Sequence, residues 1–473
     1  MHQWEWVIRG ERTRKYLRMA SVLLLLLLPL GAKAQISLST AVDLAEKSSP
    51  NVRAAAADVR RAAGALSESR DAYIPNFVLG ASPGYAYGFP LGYPSLFQAN
   101  SQSLAISFSQ PDYIRAARAG LNAANLSLKD TQQQVALEVA LDYVQLDHDL
   151  KEIAALDEEK SYADGLVQIE QQRVVAGVDA RTAELRSELT AAQVDAKRIH
   201  LQNDAADMQQ KLGHLTGLPA EGLTTVSGSV PPAPSFAANV GQDDPALRNN
   251  PGVAAAYANA KAKFYTSFGD ARQNYRPLIT FGAQYSLFEK FANYTQYFPR
   301  NFQYNNAAIG VVIQLPLFDA VHRAKARESA ADAARAQADA DQSRNVLSEQ
   351  TMAMRRTTRE LAAQQRIAQL QSDLAHEQLE TVESELANGT GGANAQPVTP
   401  REAEQAHIEE RERFEDSLDA NFSLMKVELN LLRTTGQIME WVRSSLHQTP
   451  AAGNGLAASP LSAPGAGQSS YLP

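Results

Sequence analysis

No cysteine occurs among the 473 residues. That excludes disulfides, thiol catalysis, cysteine metal sites and a lipid-bearing N-terminal cysteine. The eight histidines are scattered and form no pair at i, i+4. There is no Gly-rich phosphate loop, no His-Glu-x-x-His pair and no Gly-x-Ser-x-Gly elbow. Carboxylate pairs such as Glu158-Glu159 and Glu409-Glu410 lie in helical charge runs, where a solvated face is the ordinary reading. Neither an enzyme, a cofactor nor a metal centre is expected. Basic charge is also in short supply. The net charge is −8, and removing residues 1–34, which hold six Lys/Arg and two Asp/Glu, takes it to −12. Such a chain is a poor binder of nucleic acid.

Long apolar runs are missing after the N-terminus. Arg9, Arg12, Arg14, Lys15 and Arg18 precede the run Val22–Leu30, and Ala32-Lys33-Ala34 reads as a cleavage site. This is a secretory signal over residues 1–34, because the apolar core is too short to span a bilayer. A start at Met19 is the alternative. No later stretch is long and apolar enough for a membrane helix, which leaves strands as the only means of spanning.

What the chain does contain is a duplication. Ser49-Pro50-Asn51-Val52 and Asn250-Pro251-Gly252-Val253 each open an Ala-rich helical stretch. Each stretch leads to a second proline, Pro75 or Pro277, and then to an alternating apolar run, a polar loop and another run. A very long helical pattern follows and ends at Gly217 or Gly436. The period is too long for a solenoid repeat. The expected organisation is a first structural repeat over 35–217, a linker over 218–244, a second repeat over 245–441 and a disordered Gly/Ala/Ser/Pro tail over 449–473.

Four strand segments are predicted, at 77–88, 103–111, 278–288 and 307–316. Each has the length that a tilted membrane strand needs, roughly 9–11 residues. Tyr85, Tyr87, Phe89, Tyr93, Phe288, Phe291, Tyr294, Tyr297 and Phe298 cluster near their ends, like an interfacial girdle. An ordinary soluble hairpin is the competing reading. Four strands cannot close a membrane barrel, so spanning strands would require several chains to share one.

The helical stretches are predicted at 115–177 and 179–215, and again at 321–386 and 400–435. Apolar residues recur at Leu128, Val135, Val139, Tyr143, Leu146, Leu150, Ile153 and Leu156, in steps of three, four and seven. About 60 residues at 1.5 Å each give roughly 90 Å. Long antiparallel helices with weak stripes read as coiled coil. A periplasmic rod or interaction protein without a pore is the alternative reading.

Several short motifs, in this order and spacing, resemble the TolC-like outer membrane efflux proteins. They are Leu38-Ser39-Thr40-Ala41-Val42-Asp43-Leu44-Ala45, Asn51 after a proline, Arg173-Val174-Val175-Ala176-Gly177-Val178, Leu315-Pro316-Leu317-Phe318-Asp319, and Gly217 and Gly436 closing the halves. The resemblance extends to about Trp441. It implies a mixed α and β fold: a long antiparallel coiled-coil α-barrel with four transmembrane strands per chain. A homotrimer would then form one 12-stranded barrel in outer membrane lipid and a 12-helix periplasmic tunnel. It implies a passive exit duct of a tripartite efflux or type I secretion system, reached through a periplasmic adaptor from an inner-membrane transporter.

The family's site residues carry over as follows. Arg173, Gly177, Val178 and Asp179 fall on the first adaptor-facing turn, and Gly389 on the second. Counting back from Gly436 puts Glu402 at the periplasmic constriction, with Gln405 where a second acid is often found. The Gly-rich stretch 389–400 departs from the family spacing, so Glu383 and Glu385 are alternative acids. The cargo is not legible, although the lack of His or Met clusters speaks against a dedicated metal exporter.

Overall fold

The computed structural model describes residues 34–83, 95–226, 228–232, 250–288, 303–389 and 398–444. Residues 1–33 of the predicted signal segment, Met19 among them, residues 233–244 of the predicted linker and the predicted tail at 449–473 lie outside them. So do Tyr85, Tyr87, Phe89, Tyr93, Phe291, Tyr294, Tyr297 and Phe298.

Short strand β1 (Ala34–Ile36) precedes helices α1 (Leu38–Ser48) and α2 (Pro50–Asp71). Strands β2 (Asn76–Gly80) and β3 (Ser95–Ser107) lead into the long helices α3 (Gln110–Val175) and α4 (Arg181–Thr216). After β4 (Leu223–Thr225) the order repeats: α5 (Pro251–Gln273), β5 (Leu278–Phe288), β6 (Asn305–Gln314), α6 (Ala320–Asn388) and α7 (Pro400–Thr434), with α8 (Ile438–Ser444) last. At 66 and 69 residues, α3 and α6 are each about 100 Å long.

The helix boundaries are written in local chemistry. Pro50, Pro111, Pro251 and Pro400 each sit in a first turn, where a missing N–H costs no helical hydrogen bond. Asn250 Oδ1 accepts the Gly252 and Val253 N–H groups at 2.9 and 3.2 Å, capping α5. Gly217 ends α4 at φ 76°, and Gly436 follows α7 at φ 77°. Both adopt left-handed backbone that side chains disfavour.

The helices form a one-layer wall. Near its first end α3 packs between α2 and α5, and α5 packs on α6. Near its second end α3 packs between α4 and α7, and α7 packs on α6. The shorter helices meet end to end beside the long ones. Asn250 Nδ2 donates to Thr434 O at 3.0 Å, and Ser48 Oγ to Leu215 O at 2.6 Å. The main core lies at this waist. It gathers Leu38 and Val42 of α1, Tyr143 and Leu146 of α3, Leu212 of α4, Leu429 and Leu432 of α7, and Trp441 of α8. Tyr143 is fully buried, and its hydroxyl donates to Ile36 O at 2.8 Å and accepts the Val226 N–H at 2.9 Å. This one phenol ties β1 and the β4 loop to the long helix, satisfying its polar end where the ring is dry.

The antiparallel sheet runs β2-β3-β5-β6. In register, Phe281 pairs with Val311, Ile279 with Ile313, Ala283 with Ile309 and Phe77 with Ser101, which puts these side chains on one face. Asn100 pairs with Gln284 and Gln98 with Ser286 on the other. One face is therefore chiefly apolar and the other polar.

The strands depart from expectation in the first half. β2 ends at Gly80 instead of continuing to residue 88, and residues 84–94 lie outside the described set. β3 occupies 95–107, not 103–111. Gln98, Asn100 and Gln102 look like a loop in sequence, yet they alternate onto the polar face. Pro111 closes the strand that the sequence predicts at 103–111. It belongs to the first turn of α3, behind Ser107 Oγ, which accepts the Gln110 N–H at 3.2 Å. In the second half β5 begins and ends as expected, and β6 starts two residues earlier than residue 307. Among the described residues, no helix is long and apolar enough to cross a membrane.

Candidate functional site

The end of the wall farthest from the sheet carries the turn between α3 and α4. The Gly177 N–H donates to Val174 O at 3.0 Å and the Val178 N–H to Arg173 O at 2.9 Å. That pair of bonds is the Schellman closure of a helix, and it needs Gly177 at φ 72°. No atom lies within 4 Å of where a Cβ would stand, so backbone conformation, not crowding, demands glycine there. Val175 and Val178 are 85% and 62% exposed. Two apolar side chains thus stand in water at the very tip.

An ionic network braces this turn. Arg173 Nε donates to Asp179 Oδ2 at 2.5 Å across the loop. That hydrogen bond, chiefly, holds the Asp179 carboxyl below the usual carboxylate range. Arg401, at the start of α7, places Nε 2.9 Å from Glu170 Oε1 on α3 and a second nitrogen 4.0 Å from Asp179. Glu170 is only 2% exposed, and its other oxygen has no hydrogen-bond partner. The first hairpin is thereby fastened to the root of the second. Behind the network Ala163, Leu166, Ala191 and Ile408 form a small apolar cluster.

At the second turn the Gly389 N–H donates to Glu385 O at 2.9 Å, and φ is 79°. Residues 390–397, which follow Gly389, lie outside the described set. α7 opens with a capping box. The Thr399 side chain accepts the Glu402 N–H, and the Glu402 carboxylate accepts the Thr399 N–H at 2.8 Å. Those bonds hold the Glu402 carboxyl below its ordinary range. Glu402 and Gln405 are exposed on α7. Glu383 of α6 sits 3.2 Å from His407 Nε2, whose ring stacks on Tyr162 at 4.2 Å. Glu385 is half-buried.

The structure brings Arg173 and Asp179 together beside Gly177 and Val178. Glu402 and Gln405 stay on α7 while Glu383 and Glu385 stay on α6. Sequence reasoning missed Glu170 and Arg401. They are 231 positions apart, and a glutamate within a charged helical run carries no local sign that it will be buried.

A sheet with one apolar and one polar face is set at the end of roughly 100 Å antiparallel helices. Residues 41–218 match the outer membrane efflux protein family. The fold matches the outer-membrane channel OprN at a TM-score of 0.67 and 18% identity, over 85% of this chain and 90% of that one. It matches VceC from Vibrio cholerae at 0.66 and 16%, over 84% and 96%. It also matches the open state of the MtrE channel of Neisseria gonorrhoeae at 0.66 and 14%, over 85% and 89%. No curated protein matches the chain. Over residues 41–218 the chain is thus similar to the outer membrane efflux proteins, and its overall fold is that of the outer-membrane channels.

Proposed function

We propose that three copies of the chain form one efflux duct, and the observation that carries this is the set of open edges on a single copy. The sheet ends at β2 on one side and β6 on the other. Ile309, Val311 and Ile313 of β6 and Phe77 and Leu79 of β2 are all more than half exposed. An isolated chain would leave two unpaired strand edges beside an apolar face, which is untenable in water or lipid. The helical wall is open in the same way. It ends at α2 or α4 on one side and α6 on the other. Leu185 and Leu189 of α4 and Ile367 and Leu374 of α6 are exposed along those edges.

Head-to-tail contact of such edges builds a ring. Three copies give twelve strands, with the apolar face toward lipid and Gln98, Asn100 and Gln284 toward water. Twelve helical positions continue that lumen as a periplasmic tunnel. The chain performs no chemistry. It supplies a passage, and an inner-membrane pump engaged through a periplasmic adaptor supplies the energy. Arg173, Gly177, Val178, Asp179 and Gly389 are the adaptor-facing tips. The exposed Val175 and Val178 support that assignment, being apolar groups without a partner in one chain. Glu402, with Gln405 and the alternatives Glu383 and Glu385, narrows the far opening. The first repeat ends at Gly217 and the second near Trp441.

Native mass measurement of the detergent-purified protein tests this reading. A trimer that resists dissociation is expected. A stable folded monomer would overturn both the shared barrel and the tunnel.

A further inference from the structure

Midway between the waist and the tip, the interface of α3, α4 and α7 contains a group of ionisable side chains that the duct does not use. His148, Asp149 and Glu152 come from α3, Lys197 from α4, and Glu415 and Asp419 from α7. His148 is 9% exposed, Asp149 is wholly buried and Glu152 is 4% exposed. Four carboxylates therefore face one ammonium and one imidazole. Lys197 is already committed to two of them, at 3.1 Å from Glu152 and 2.6 Å from Glu415. Asp149 Oδ1 accepts the Gln145 Nε2 hydrogen at 2.6 Å, while its buried Oδ2 has no hydrogen-bond partner.

The imidazole geometry is the second observation. His148 Nδ1 is 3.3 Å from Asp149 Oδ1. His148 Nε2 is 3.0 Å from Asp419 Oδ1, yet this buried nitrogen makes no hydrogen bond. The oxygen is near enough but lies off the line of the N–H. Two ligands about 2.1 Å from one ion, at right angles, are about 3.0 Å apart and displaced in that way. Glu152 stands four residues after His148 on the same helical face. One donor atom from each of His148, Glu152 and Asp419 lies within 4.8 Å of the others.

We propose that His148, Glu152 and Asp419 bind a divalent first-row transition ion that staples α3 to α7. An imidazole with two carboxylates suits such an ion better than magnesium or calcium, which take oxygen donors. Asp149 is the positioning residue, holding Nδ1 so that Nε2 faces the ion. The Asp419 side chain is 60% exposed and gives an entry path. The ion replaces the proton that the same carboxylates otherwise keep on the ring. It is a fixed structural ion, separate from any cargo. A search for His pairs passes over this set, because it contains one histidine and takes its third ligand from a helix 271 positions away.

Cobalt(II) titration of the full-length, chelator-treated protein in detergent tests the site. One cobalt per chain is expected, with a visible ligand-field band that zinc(II) abolishes. His148→Gln and Asp419→Asn should each remove the band. His200→Gln, at an exposed histidine elsewhere, should retain it. Asp149→Asn should weaken binding by about 10- to 100-fold. Because Asp419 is largely exposed, its variant decides the matter if His148→Gln does not fold. Absence of stoichiometric binding in the unaltered chain, or binding unaffected by Asp419→Asn, would overturn the proposal and leave an imidazolium held among carboxylates. The assay reads no transport, so its failure leaves the duct reading standing.

Discussion

Arg401 Nε lies 2.9 Å from Glu170 Oε1. This contact ties the start of α7 to the last turns of α3. Arg401 is the only cation within ion-pair distance of Glu170 among the described contacts, and the carboxylate it meets is almost wholly buried. Removing the guanidinium leaves that carboxylate without its counter-charge, at a cost of about 1–3 kcal/mol. Arg401→Ala is therefore expected to loosen the tip locally. Hydrogen exchange should accelerate in 166–179 and 400–406 while the waist around Tyr143 stays protected. Baseline conductance of reconstituted protein should rise. Unchanged exchange at both segments would show that the apolar cluster at Ala163 and Ile408 holds the tip unaided.

Gly177 tests the turn itself. A β-branched residue at φ 72° is strained even with open space around it. Gly177→Val should abolish efflux while the protein still reaches the outer membrane in normal amount. Efflux near the unaltered level, at equal expression, would mean that this turn makes no essential contact.

Glu402 separates charge from folding. Its carboxylate serves the capping box, and a glutamine can accept the same Thr399 N–H. Glu402→Gln should keep α7 intact. If three copies ring the far opening, it should lower cation selectivity in planar bilayers and weaken block by multivalent cations. Equal selectivity in the two proteins would return Glu402 to a capping role alone.

Glu159 supplies a pH dependence. Burial, then the neighbouring Glu415, pushes its carboxyl up to about 8. Glu412 raises it further and Lys197 of α4 opposes. The folded chain thus keeps a proton that the unfolded chain releases near its ordinary value of 4.5. Its contribution to stability is complete below that value and is lost as the pH rises toward 8. Between those values the melting temperature should fall with pH, the share due to Glu159 being at most about 1.4 kcal/mol per pH unit. Glu159→Gln should flatten the slope. A slope that persists in the variant would assign the effect to other groups.

Legibility followed the range of the interactions. The prolines that open helices, the glycines at 177, 217 and 436, and the long proline-free stretches act on their own neighbours. The helices were therefore readable to within a few residues at most ends. The strand at 95–107 was not, because Gln98, Asn100 and Gln102 look polar on both sides until β2 and β5 are placed beside them. Pro111 misled for a related reason. A proline ends a strand and begins a helix equally well, and only the Ser107 contact shows which.

The sequence by itself determined that the chain is duplicated, helical over most of its length and built to present strands with an apolar face. Those properties follow from periodicity and backbone preference, which need no partner. Only the tertiary structure decided which charged residues leave the water. Glu170, Asp149 and Glu152 sit in helical runs that look solvated in sequence. Their burial depends on where α7 crosses α3, more than two hundred positions along the chain. The ionic brace at the tip and the ligand set at His148 both arise from that crossing. No local pattern encodes it, because desolvation is imposed by neighbours in space.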